Sequence, residues 1–213
     1  MSFKFNRNCW VESLEERLFC SKAGDETEVF STNGPPSGEN GAAAAEPATV
    51  EEMIAGARNL FARYGDAIQK DECIGRLIDS LKTNLENSAK CMEGLGIFCA
   101  CARCDETSPA GSCCSRGLER KYSPVLLLMN LILGIGLPER RLREDSCYFL
   151  GPKGCCLKVR HELCIDYLCP QLEEMLGRES LIKIQTISGE EITSAFLLYE
   201  AVKDKTRKLL PPE

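Results

Sequence analysis

The 213 residues carry 26 Lys and Arg against 32 Asp and Glu, a net charge of −6, and no basic block stands out. The footprint that recognises a phosphate backbone is missing, which excludes nucleic acid as the expected partner. The longest apolar run, Val125 to Leu137, is interrupted by Asn130, Gly134 and Gly136 and is too short to span a bilayer. The opening MSFKFNRNCW has no apolar stretch of a secretory signal, so the expectation is a cytoplasmic chain with no membrane span.

In chain order, residues 1–30 read as an N-terminal arm with one short amphipathic segment, in which Trp10, Leu14 and Leu18 recur at helical spacing. Residues 31–48, STNGPPSGENGAAAAEPA, lack large apolar side chains that would offset the entropy of ordering the backbone, and read as a disordered linker. Residues 49–213 then form a helical domain. Thr49 and Glu52 make a capping box, followed by a stripe from Val50 to Tyr64 that Gly65 is expected to end. A second helix is expected from Asp66 to about Leu95, with Ile74, Ile78, Leu81 and Met92 on its apolar face, pairing with the first as a hairpin turned at Gly65. A third, over Leu118–Leu133, is apolar almost all round and belongs at the centre of the core. Residues 180–187, SLIKIQTI, suggest one short strand, and Ser188 with Glu191 suggests the capping box of a last helix that ends in Lys203, Lys205, Arg207 and Lys208. The fold class expected is therefore mainly α, a helical bundle carrying cysteine-rich metal-binding loops with little or no β-sheet.

Fourteen cysteines stand against a single histidine, His161. Ten of the fourteen lie between residues 99 and 169. A reducing compartment keeps thiols free, and a chain with enough apolar surface for a core has no need of disulfide staples, so metal binding is the favoured reading. The first block, CACARCDETSPAGSCC, contains the Cys101-x2-Cys104 knuckle and the Cys113–Cys114 pair. The second, CYFLGPKGCCLKVRHELCIDYLCP, contains Cys147, Cys155, Cys156, Cys164 and Cys169, with Gly151, Pro152 and Gly154 supplying the turns that fold Cys147 back towards Cys155 and Cys156. Pro170 after Cys169 is placed to end a ligand loop and start a helix. These nine cysteines are the candidate metal ligands. Cys99 reads equally as a buried small side chain, Cys73 as core, and Cys9 and Cys20 as thiols of the arm. Arg160 is a candidate cofactor-binding cation, since thiolate-ligated clusters are anionic, or else a solvent-facing helix residue; His161, the one imidazole, reads as a surface residue at a helix start or as a ligand that completes the site. The paired carboxylates, Glu190–Glu191 among them, are expected on solvated polar faces. No nucleophile triad or phosphate loop is present. A shared site is possible because Gly134, Gly136 and Pro138 end the third helix and the following PERRLRED segment is long enough to return the chain to the first block.

The pattern of a C-x2-C, a Cys-Cys pair, a long apolar insert, one cysteine, and then a cysteine leading through an arginine to another resembles the YkgJ-like, zinc- or iron-chelating CxxCxxCC family. The match falls on Cys101, Cys104, Cys113 and Cys114, on Cys147, and on Cys156, Arg160 and Cys164, within residues 99–170. The chain departs from the pattern in the DETSPAGS insertion before Cys113 and in His161 where the family carries proline. The resemblance implies a metal centre. Ten neighbouring cysteines suit an iron–sulfur cluster better than a single four-coordinate zinc, so the function expected is an iron–sulfur protein in electron transfer, or an accessory subunit with a redox enzyme or electron carrier as its protein partner. The alternative is a zinc-stabilised interaction module without catalytic activity.

Overall fold

The structure, a computed structural model, describes residues 48–108 and 112–210; the expectations for the arm and for linker residues 31–47 lie outside it. The described chain is mainly α, with six α-helices and one two-residue-strand hairpin. Helix α1, Val50–Gln69, opens as expected: Glu52 N–H donates to Thr49 Oγ1 at 3.2 Å and Thr49 N–H to the Glu52 carboxylate at 2.7 Å. It does not stop at Gly65. That glycine is buried inside the helix, where a Cβ would lie 2.9 Å from the Phe61 ring, so it serves packing and not termination. The chain turns instead at Lys70, and Asp71 caps α2, Glu72–Gly94, by accepting from Cys73 N–H at 3.0 Å and Ile74 N–H at 3.2 Å. Asp at an N-cap satisfies amides the helix cannot, which makes it a stronger boundary than a helical glycine.

Helix α3 spans Ile97–Thr107. The expected helix over Leu118–Leu133 is split into a 3-10 turn, Leu118–Lys121, and α4, Pro124–Ile132. The cause is Pro124, which disfavours helical geometry at Ser123 but suits a first helical position; Ser123 Oγ accepts from Leu126 N–H at 3.2 Å. Leu127, Leu128, Met129 and Asn130 are fully buried, so α4 is the central helix, packed chiefly on α1. Strands β1, Leu150–Gly151, and β2, Gly154–Cys155, pair antiparallel with Leu150 opposite Cys155. A short α5, Glu162–Asp166, leads to α6, Pro170–Leu209. Helix α6 contains the whole of 180–187, where a strand was expected, and the Ser188/Glu191 capping box is absent because both residues are buried mid-helix. Ile184, Ser188, Glu191, Leu198 and Val202 form the stripe that faces inward, so the apparent alternation in SLIKIQTI is part of a helical period.

The core has two parts. One gathers α1, α2, α4, the hairpin and the end of α6 around Leu81, Leu127, Phe149, Leu157 and Leu198. The other joins Cys91 and Met92 of α2, Ile97 of α3 and Leu172 and Ile184 of α6. Cys73, expected in the core, is exposed, its sulfur 3.2 Å from Arg76 Nη2. Among the described residues no helix is long and apolar enough to cross a membrane.

Candidate functional site

The two cysteine blocks, separated in sequence by α4, are joined through their backbones. Cys147 N–H donates to the Cys114 carbonyl at 2.8 Å, Arg116 N–H to the Asp145 carbonyl at 2.9 Å, and Ser115 bridges Ser146 between them. The segment after Gly136 therefore does return to the first block. Charged contacts hold it there: Arg143 pairs with Asp105, which also accepts from Ser112 Oγ at 2.7 Å, and Arg141 pairs with the buried Glu119 while donating to the Ser146 carbonyl.

Cys101 and Cys104 lie three apart on α3, one turn above the other. Cys169 is the N-cap of α6, with Pro170 at the first helical position as the Cys-Pro pair predicted. Cys101 and Cys169 both border the second core, whereas Cys114, Cys147 and Cys155 border the first. Burial and then the neighbouring thiols Cys113, Cys169 and Cys104 push the Cys101 thiol up to about 11. Cys104 is raised by burial and by Cys169 and Cys113. Cys147 is pushed up to about 12, first by burial, with Cys155 and Cys164 adding to it. Within the vicinal pair the Cys114 thiol hydrogen-bonds Cys113, which lowers Cys113 and raises Cys114. Cys164 is raised by burial despite its contact with the Tyr122 hydroxyl at 3.9 Å and the Arg160 guanidinium. Cys113 thus acts on Cys101, Cys104, Cys114 and Cys164, while Cys155 and Cys164 act on Cys114 and Cys147. Cys156 lies under the hairpin, its sulfur 2.6 Å from where a Cβ on Gly151 would be, so a larger residue there collides with it. Cys99 is half-buried on α3.

Among the described residues no three His, Cys, Asp or Glu side chains stand placed to hold a metal ion. The donor chemistry nevertheless fits a thiophilic one. Soft sulfurs come from several chain segments, and ionising Cys101, Cys104, Cys114 or Cys147 is opposed by burial and by a neighbouring sulfur, a repulsion that a metal cation would relieve.

Several residues that shape this site were not identifiable as such from the sequence. Asn130, fully buried in α4, donates to the Val159 carbonyl at 3.0 Å and accepts from the Lys158 and Val159 N–H groups, both at 3.0 Å, fixing the loop that presents Arg160 and His161. Tyr122 accepts from His161 N–H at 3.1 Å and faces Cys164. A polar residue inside an otherwise apolar helix was the one available signal, and it read as an interruption. His161 does start a helix: it caps α5, its Nδ1 accepting from Leu163 N–H at 3.2 Å. Arg160 is not a solvent-facing helix residue: it precedes α5 and its side chain is largely buried. Its guanidinium lies 3.6 Å from Glu191 Oε1 and favours the thiolates of both Cys101 and Cys164.

Glu191 corrects the expectation of a solvated carboxylate pair, since it is 1% exposed and neither of its oxygens has a hydrogen-bond partner among the described residues. Burial raises its pKa, with Arg160 offsetting only part of that. A raised folded-state pKa means stability is greatest with the carboxyl protonated and is lost as pH rises through that pKa. Urea midpoints of the native chain should therefore fall from about pH 4.5 upward relative to those of Glu191→Gln, which removes the titration. Parallel midpoints over that range would show Glu191 titrating as in the unfolded chain.

Compared with protein-family models, with curated proteins and with solved structures, the chain matches none.

Proposed function

We propose that residues 99–170 form a thiolate metal centre of iron–sulfur type, serving electron transfer or an accessory role beside a redox enzyme. The observation that carries this reading is the Cys147–Cys114 backbone bond, because it fastens the two cysteine blocks together without using a thiol of either. The similarity to the YkgJ-like pattern supports the same conclusion. Cys101, Cys104, Cys113, Cys114, Cys147, Cys155, Cys156, Cys164 and Cys169 would be the pool of ligands that hold the metal, and a bound cluster supplies one-electron transfer. The remaining roles belong to the chain. Arg160 offsets anionic charge beside Cys101 and Cys164, and the Tyr122 hydroxyl bonds the Cys164 sulfur, the kind of contact that tunes a thiolate-ligated centre.

Protein purified without oxygen should be brown and contain iron with acid-labile sulfide. A colourless protein containing stoichiometric zinc would replace this reading with the zinc-stabilised interaction module, and one free of both metals would remove the metal centre altogether.

A further inference from the structure

Helix α5 is apolar on two opposite sides. Ile165 faces inward and is 3% exposed, whereas Leu163 and Tyr167, each two residues from it and so about 160° away around a helix of 3.6 residues per turn, are 48% and 56% exposed. Four residues apart, these two large side chains share one outward face. On a folded surface a paired apolar face of this kind marks a place that something covers.

Charge frames the same face. From His161 to Gly177 the chain carries Glu162, Asp166, Glu173 and Glu174 and neither Lys nor Arg, and all four carboxylates are exposed. Glu162 and Glu173 lie in the first turns of α5 and α6, where the helix dipole favours an anion. Asp166 has no such reason, because it is the last residue of α5, the end that favours a cation. Glu162 lies 3.5 Å from the His161 imidazole; among the described residues the other three pair with no Lys or Arg.

The complement to this face stands in the part of the chain outside the described residues. Residues 3–10, FKFNRNCW, carry Phe3, Phe5 and Trp10 together with Lys4 and Arg7, and no carboxylate precedes Glu12. Large aromatic side chains interleaved with cations are what an apolar face ringed by unpaired carboxylates takes. The 37 residues between Trp10 and Ala48 reach up to about 120 Å extended, so length does not restrict where the segment can land. Belonging to the same chain makes the encounter intramolecular, and a contact of a few side chains then suffices.

We propose that residues 3–10 dock in cis on the outward face of α5, with the aromatic side chains against Leu163 and Tyr167 and with Lys4 and Arg7 among Glu162, Asp166, Glu173 and Glu174. Because α5 also carries Cys164, the docked segment lies on a flank of the cysteine region, and a partner approaching from that flank meets the segment first.

Zero-length carbodiimide cross-linking of the full-length chain, read by mass spectrometry of the digested monomer, should join Lys4 to one of the four carboxylates. Trp10, the one tryptophan of the chain, supplies a second readout. Acrylamide should quench it several-fold less in the native chain than in urea, and Leu163→Ser with Tyr167→Ser should raise the quenching to the urea level while helical circular dichroism stays unchanged. Asp166→Lys with Glu174→Lys should expose Trp10 in the same way, and adding Lys4→Glu with Arg7→Glu should restore its protection. The proposal is overturned if native Trp10 is quenched as freely as in urea, if its protection survives the α5 substitutions, or if Lys4 joins none of the four carboxylates. Protection lost on dilution, with the cross-link found only in a dimer, assigns the face to a second copy and overturns docking in cis. Where a variant fails to fold, the native cross-link still decides. Neither readout uses a metal, so a chain purified free of iron and zinc would remove the metal centre and leave the docking standing.

Discussion

Asn130→Ala should cost at least about 2 kcal/mol of stability, since leaving even two buried amide partners unsatisfied costs on the order of 1–3 kcal/mol each. The partners are specific: the Val159 carbonyl and the N–H groups of Lys158 and Val159 all lose the same side chain at once, and Val159 is itself 1% exposed. The loss should not stop at stability. The loop released is the one that sets Arg160 and, through the His161 N–H on Tyr122, the approach to Cys164, so under the proposed metal centre the metal retained after dialysis should fall in parallel. Asn130→Asp separates charge from shape. It keeps an acceptor for the two N–H groups but loses the donor to Val159 and buries a carboxylate, whose folded-state pKa must then rise. Its deficit should shrink as pH falls and the carboxyl is protonated. Chemical denaturation at two pH values measures both effects, and an Asn130→Ala midpoint equal to that of the native chain would refute the role given to this residue.

Glu119→Ala is expected to cost about 3 kcal/mol, the lower end for breaking a buried ion pair and stranding its partner. Glu119 is 2% exposed, pairs with Arg141, and accepts from Gly117 N–H at 2.9 Å. Burial alone would raise its carboxyl, but the Arg141 hydrogen bond and the backbone amides outweigh that and hold it below the usual carboxylate range. A depressed folded-state pKa contributes stability above the unfolded value and loses it as pH falls through the folded one, so the gap between native and variant should close in acid. Removing the arginine as well, in Glu119→Ala with Arg141→Leu, should recover part of the loss, because the stranded cation goes with it. Melting temperatures of the four chains give the coupling directly; a double variant equal to the sum of the two singles would mean the residues act separately.

The mainly helical architecture was legible because capping residues and apolar stripes have fixed spacing, as Thr49, Glu52 and the face from Val50 to Tyr64 illustrate. Boundaries were less legible where one residue type serves two purposes. Gly65 resembles a stop but makes room for Phe61, and Ser188 with Glu191 resembles a cap but faces the inside of α6. The cysteine blocks were visible from spacing, and the turns of Gly151 to Gly154 do place Cys155 near Cys147. What could not be read was the framework beneath them. Asn130 with the 157–159 loop, Glu119 with Arg141, and Arg160 with Glu191 are pairings between distant segments, and no local period encodes such a pairing.

The glycine at 177 has a consequence for how α6 aims its N-cap. Its φ of 67° and ψ of 168° are not helical, and they divide the element into a short leading piece and a long trailing one. In an unbroken helix of 3.6 residues per turn, Leu172 and Ile184 would point about 120° apart. Both are nevertheless buried in the same core. Gly177 acts as a phase shifter, resetting the angular origin of the leading piece independently of the stripe that packs on α2. The direction in which Cys169 faces the thiols of α3 is thus set by a backbone rotation eight residues downstream, at a φ that side-chain-bearing residues rarely adopt.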